Sequence, residues 1–198
     1  MSDNWDDYAE EWDTNIEAIT YSKKVYESLI NEINIEDKTI LDFGCGTGLL
    51  TERLSPLARN IIAIDTSPKM ITLLQSKKLT NVTSLSEPLT SELIINNPIF
   101  NNKVNIIVAS SVFSFLPDYN STLKLLKSLL VPDGLLIQWD WLSPDSSSEF
   151  GLSENTIKNS LNNAGFAQIS IKKPFSLTNE NGNMPVIMGI AKNAYQAS

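Results

Sequence analysis

The sequence has no histidine and a single cysteine, Cys45. An internal disulfide, a serine–histidine or cysteine–histidine nucleophile pair and an ordinary structural zinc site are therefore excluded. Arginine is almost as scarce. Arg53 and Arg59 are the only guanidinium groups, too few for the clustered phosphate contacts that nucleic acid requires, so none is expected as a partner. Long apolar runs are missing too. Ile106–Ala109 and Gly134–Ile137 fall far short of the roughly 20 residues of a membrane-crossing helix, and no membrane partner is expected. The start, Met1–Asp7, is acidic where a secretory signal is basic and then apolar, which makes a cytoplasmic location the expectation.

What is present is a globular composition. In 198 residues, 42% are hydrophobic and 19% charged, enough apolar surface to offset chain entropy in one domain. The net charge of -8 is concentrated: Asp3, Asp6, Asp7, Glu10, Glu11, Asp13 and Glu17 lie in the first 20 residues with no Lys or Arg among them. Such a run most often forms a solvated helix face. Apolar spacing predicts a short helix around Trp5 to Trp12 and an amphipathic one over residues 15–33. Strand-like runs then alternate with helical ones: Thr39–Phe43, a helix from about Leu49, Asn60–Asp65, a helix over Pro68–Lys77, and Asn81–Ser86. Val104–Ser110, a helix over Tyr119–Leu130, Gly134–Asp140 and a helix over Ser153–Ala164 follow. This βα alternation predicts a mainly parallel sheet covered on both faces, with ligands at the carboxyl ends of its strands. Gln168–Pro174 and Met184–Ala191, joined by the turn-rich Asn179–Asn183, predict a closing antiparallel hairpin, and Ser146–Ser148 a short loop.

The most informative stretch is Ile40–Leu50, where Gly44, Gly46 and Gly48 carry a strand through a tight turn into a helix. Glycines there allow positive φ and let a ligand reach bare backbone beside the unpaired N–H groups of the helix start. A dinucleotide fingerprint would place its third glycine at position 49, which is Leu49. Asp65 closes the second strand 21 residues after Gly44, where a carboxylate can accept hydrogen bonds from ribose hydroxyls.

These residues resemble the class I S-adenosylmethionine-dependent methyltransferases from Trp5 to Lys192. Asp42–Gly48 resembles the family's first motif and Asp65–Met70 its second, Val131–Gly134 resembles the turn before the fifth strand, and Trp5–Asp13 resembles the N-terminal cap of small-molecule members. The resemblance implies a Rossmann-like, doubly wound, mainly parallel seven-stranded α/β sheet with an antiparallel last strand and an N-terminal helical cap. It implies one domain over 1–198, with cap or lid 1–34 and core 35–198, and S-adenosylmethionine as cofactor. Gly44, Cys45 and Gly46 would line its methionine part, Asp42 would reach its amino group, Asp65 would hold the ribose and Met70 would flank the adenine. Trp12, Gly48, Thr66 and Ser110 complete the implied cofactor set. The usual Asp after the third strand is absent, so Ser86 or Glu87 must substitute for it near the adenine. No carboxylate follows the fourth strand at Ala109–Ser111, so no metal is expected.

Methyl transfer from a sulfonium is an in-line displacement that positioning and water exclusion can carry. The catalytic group stays open: Tyr8, Glu87 and Asp140 could act as a base for a neutral alcohol, and no single one is singled out. Trp12, Phe113, Trp139 and Trp141 could wall an acceptor pocket. The leading expectation is a small-molecule acceptor, with a protein or peptide acceptor and a cofactor-binding protein without catalysis as alternatives. The arm carrying Trp5, Tyr8 and Trp12 is expected to fold over the strand ends as a lid, and its acids to favour cationic acceptors.

Overall fold

The computed structural model describes residues 5–143, 151–179 and 182–194. Ser146–Ser148, and Glu180 and Asn181 of the hairpin turn, lie outside them. The chain divides into two compact units, Met1–Leu89 and Thr90–Ser198.

In the first unit a 3-10 turn (Trp5–Asp7) and helix α1 (Ala9–Trp12) precede α2 (Ile16–Ile30). The single short helix expected around Trp5 to Trp12 is thus two pieces, and α2 ends at Ile30 rather than 33. Helix α2 starts where the Asn15 side chain accepts from the amides of Glu17 and Ala18, satisfying donors that no helical carbonyl reaches. It buries Tyr21, Val25 and Leu29, a spacing of four that places them on one face. Strands β1 (Thr39–Phe43), β2 (Asn60–Asp65) and β3 (Val82–Ser86) alternate with helices α3 (Leu49–Leu54) and α4 (Pro68–Ser76). The strands are parallel in the order β3-β2-β1. Ile40, Leu41 and Ile61–Ile64 are buried, the near-continuous apolar strand that a sheet covered on both faces demands. Ser67 caps α4 by accepting from Met70 N, with Pro68 at the first helical position. Parallel register sets Asp65 beside Ser86, so the tips of β2 and β3 present a carboxylate and a hydroxyl side by side.

The second unit holds α5 (Ser91–Asn96), β4 (Val104–Ser110), α6 (Tyr119–Leu129), β5 (Leu130–Trp141), α7 (Glu154–Asn163), β6 (Ala167–Asn179) and β7 (Gly182–Lys192). Its strand order is β4-β5-β7-β6; β4 and β5 are parallel, and β7 is antiparallel to both β5 and β6. The expected hairpin is present and longer than predicted, since pairing continues to Asn179 and Gly182. Strand β5 also begins earlier than predicted. Leu130 pairs with Val104 and Leu135 with Ile106, so Val131–Gly134 loops out between paired residues, with Asp133 at φ +62°. Helix α5 was not expected; its sequence signal is Thr90, whose side chain accepts from Leu93 N. Between β4 and α6 the chain makes a 3-10 turn at Phe113–Phe115. Phe113 and Trp139 are 1% and 0% exposed, so both belong to the core and neither walls an open pocket.

Candidate functional site

The glycine loop is anchored from below. Gly44 N and Cys45 N donate to Ile64 O at 2.8 and 3.1 Å, pinning the turn to the end of β2. Gly48 takes φ +83° as the N-cap of α3, and a Cβ there would come 2.3 Å from Leu74 Cδ1; this glycine lets α4 pack. Gly46 differs. It sits at φ +54°, and a Cβ on it would meet nothing nearer than Met70 Sδ and Trp12 Nε1, both at 3.9 Å. Bare backbone here is flanked by a thioether and an indole, with no tight neighbour closing the space.

Asp65 joins the loop to the strand tip. Its Oδ2 accepts from Gly46 N at 2.8 Å and its Oδ1 from Ser67 N at 2.9 Å. Burial pushes its carboxyl above the usual range, opposed by hydrogen bonds from Ser67, Gly46 and Thr66 amides, and the Asp6 charge adds to the rise. A carboxylate has about four acceptor sites, so Asp65 keeps acceptor capacity beyond these amide donors. Ser86, next to Asp65 in register, has a buried hydroxyl with no hydrogen-bond partner among the described residues. A buried orphan of this kind calls for an explanation, and a ligand contact supplies one. Glu87 is exposed, as is Thr66. An unobstructed glycine, an unpaired hydroxyl and a carboxylate with spare acceptor capacity converge on the same strand ends, and this set fits a nucleoside-bearing cofactor.

Asp42 lies deeper, 1% exposed, and its Oδ2 accepts from Thr51 Oγ1 at 2.6 Å. Burial pushes its pKa up to about 7, with the Thr51 hydrogen bond opposing and the Asp65 charge adding to the shift. Cys45 is buried and its thiol is pushed up by the same desolvation, which keeps it protonated and inert.

The N-terminal arm is fastened to this loop by contacts that sequence reasoning missed. Asp13 accepts from Thr47 Oγ1 and pairs with Lys77 Nζ at 3.0 Å, and Lys77 also reaches Glu52 at 3.1 Å. Asp6 accepts from Ser67 Oγ and from Lys69 N at 3.2 Å; the Ser67 hydrogen bond holds the Asp6 carboxyl below the usual range. The expected aromatic stripe forms, with Trp5 centred 5.9 Å from Tyr8 and 6.0 Å from Trp12. Tyr8 is 53% exposed. Asp7, Glu10 and Glu11 face water. No local pattern could announce the Asp13–Thr47 bond, because 34 residues separate its partners.

The remaining implied residues belong to the second unit. Ser110 is half-buried at the end of β4, in register with Trp139. Asp140 is 0% exposed. It accepts from Ser114 N at 3.3 Å and Gln138 Nε2 at 3.0 Å, and Gln138 Oε1 accepts from Tyr119 Oη at 2.6 Å. Burial pushes the Asp140 pKa up to about 7 against these donors, and pushes the Tyr119 hydroxyl up as well. Among the described residues no three His, Cys, Asp or Glu side chains gather to hold a metal ion, and no helix is long and apolar enough to cross a membrane.

Comparison with known proteins bears on the family and the fold. The family model described as a methyltransferase domain matches residues 19–155. Among curated proteins, the chain is 30% identical over 119 residues to an uncharacterized methyltransferase of Oceanobacillus iheyensis, covering 58% of this chain and 53% of that one. It is 32% identical over 121 residues to a malonyl-[acyl-carrier protein] O-methyltransferase of Acetivibrio thermocellus (58% and 40%). It is 35% identical over 123 residues to a trans-aconitate 2-methyltransferase of Escherichia coli (59% and 46%). The chain spans about half the length of these curated relatives. Among solved structures, the DhpI-SAM-HEP complex superposes with a TM-score of 0.73 at 18% identity, covering 94% of this chain and 93% of that one. The magnesium protoporphyrin IX methyltransferase of Synechocystis PCC 6803 with bound SAM does so with 0.64 at 18% identity, covering 87% and 78%. At such identities the likeness shows the fold, which is the Rossmann-like α/β fold with an antiparallel last strand that the sequence predicted. With the family model matching well over half of its length, the chain belongs to the methyltransferase-domain family and has the fold of the class I S-adenosylmethionine-dependent enzymes.

Proposed function

We propose that this chain transfers a methyl group from S-adenosylmethionine to a small-molecule acceptor. The observation that carries the reading is Gly46: open backbone at positive φ between Met70 and Trp12, its N–H already held by Asp65. When bound, the cofactor supplies an electrophilic methyl group on a sulfonium sulfur. The residues of the chain bind and orient. Asp65 accepts from ribose hydroxyls with the acceptor capacity its amide donors leave free. Asp42, with its pKa near 7, ionises as an ammonium group approaches, because an opposite charge favours the charged form. Ser86 offers its unpaired hydroxyl to the nucleoside base in place of the missing Asp. Trp12 and Met70 cover the loop and keep water from it.

A small-molecule acceptor is supported by the name of one relative, a trans-aconitate 2-methyltransferase; a second, a malonyl-[acyl-carrier protein] O-methyltransferase, is named for an acyl group carried on a protein. Calorimetry tests the cofactor and label transfer tests the reaction. S-adenosylmethionine and its demethylated product, S-adenosylhomocysteine, bind the pure protein while NADH does not. Methyl-labelled cofactor then labels a low-molecular-weight fraction of a cell extract. Label confined to protein would overturn the small-molecule reading, and NADH binding as tight as S-adenosylmethionine would overturn the cofactor assignment.

A further inference from the structure

We infer that Asp13 is a positioning residue that locks the N-terminal arm onto the glycine loop, so that the arm and the loop hold the cofactor as one body. The inference rests on the cofactor reading above and adds to it a residue outside every cofactor-binding position named there. Asp13 is the junction of three elements. Its Oδ1 accepts from the hydroxyl of Thr47, a loop residue that is 0% exposed. Its Oδ2 meets Lys77, just beyond the end of α4, whose side chain is only 13% exposed and also reaches Glu52 in α3. An exposed ion pair holds little, but this cation is largely withdrawn from water and satisfied by two carboxylates, and the pair is extended by a buried hydroxyl.

A second fastening lies at the other end of the arm. Asp6 accepts from Ser67 Oγ and Lys69 N at the start of α4, next to the Ser67 amide that Asp65 holds. Between the two fastenings, Trp12 lies beside Gly46. Both attachments therefore fall on the segments that meet the cofactor, the glycine loop and the first turn of α4. A ligand seated on Gly46 lies beside Trp12, and Trp12 is one residue from Asp13. Asp13 touches neither the cofactor nor the reacting atoms; it acts by fixing where Trp12 sits and by holding the loop through Thr47.

Hydrogen exchange and ligand dissociation in Asp13→Ala, Asp13→Asn and Asp7→Ala test this. In the ligand-free protein, Asp13→Ala raises exchange at the amides of residues 6–12 by about tenfold. With S-adenosylhomocysteine bound, the same variant releases it about tenfold faster than wild type, the effect of losing a charge-assisted hydrogen-bond junction. Asp13→Asn keeps an acceptor for Thr47 and returns the dissociation rate to within about threefold of wild type. Asp7→Ala removes an exposed acid of the same arm and changes neither reading. Wild-type exchange in ligand-free Asp13→Ala would overturn the inference, as would an equal effect of Asp7→Ala. A wild-type protein that does not bind S-adenosylhomocysteine would overturn the cofactor reading instead, and the ligand-free exchange would still decide the role of Asp13.

Discussion

The glycine-loop end of the first unit and the β4–β5 end of the second each bury an aspartate completely, and each pushes its pKa to about 7. Their surroundings differ. Around Asp140 a hydrogen-bond chain ends on the carboxylate: Tyr119 donates to Gln138, and Gln138 and the Ser114 amide donate to Asp140, while the buried Ser114 hydroxyl has no hydrogen-bond partner among the described residues. Around Asp42 and Asp65 the polar groups stay open, with an unpaired Ser86 hydroxyl, spare acceptor capacity on Asp65 and unobstructed backbone at Gly46. Polar groups that find partners inside the fold need no ligand, whereas spare acceptors beside open backbone can take one. Residue type does not separate the two regions; the open backbone at Gly46 does.

Substitutions sharpen this contrast. The largest effect is expected from Gly46→Val. It costs the fold roughly 1–2 kcal/mol for a side chain at positive φ and, by filling the approach to the backbone, lowers S-adenosylhomocysteine affinity by roughly a hundredfold or more by calorimetry. Asp140→Ala acts the other way. It lowers unfolding free energy in urea by roughly 3 kcal/mol, because Gln138 and a buried amide lose their acceptor, and it leaves cofactor affinity within about threefold of wild type. Affinity loss without stability loss at Asp140 would break the contrast. Asp65→Ala weakens cofactor binding by roughly 1.5–3 kcal/mol, the value of charge-assisted hydrogen bonds to ribose. An unchanged dissociation constant would remove Asp65 from the site.

The pH dependence gives a smaller effect. For Asp42 and Asp140 the folded pKa, about 7, lies above the ordinary value of 3.8, so the folded state binds more protons between these limits. Their contribution is present in full below about 4 and is lost as pH rises to about 7, at on the order of 1 kcal/mol per pH unit for each group. Asp42→Asn and Asp140→Asn should each flatten the fall of urea stability over that range. Only Asp42→Asn should also flatten the rise of cofactor affinity between about pH 5.5 and 7, because the ammonium group needs an ionised partner. The smallest effect belongs to Ser86→Ala. It leaves stability unchanged or slightly raised, since an unpaired buried hydroxyl is removed, and weakens the cofactor by about 0.5–1.5 kcal/mol.

The strands Thr39–Phe43, Asn60–Asp65 and Val104–Ser110 were legible to the residue because β-branched apolar runs between turn signals admit few alternatives. The loop and Asp65 were legible because glycines at alternate positions after a strand have a mechanical meaning. Helix α5 was missed because its only marks are the Thr90 cap and the short apolar run Leu93–Ile95. Asp13 and Thr47, Asp6 and Ser67, and Tyr119 and Gln138 were illegible as pairs: each bond joins residues 19 to 61 positions apart, and only the folded chain sets that distance. From sequence Asp140 is one of three open candidates for a base; in the fold it is buried and held by Ser114 and Gln138.

Amide NMR of the labelled protein during titration with S-adenosylhomocysteine tests whether the open end of the first unit is the cofactor site. The resonances of Gly44, Cys45, Gly46 and Ser86 should move and saturate together, at a concentration matching the calorimetric dissociation constant. Loop amides that stay in place at saturation, or that move equally with NADH, would contradict this site assignment.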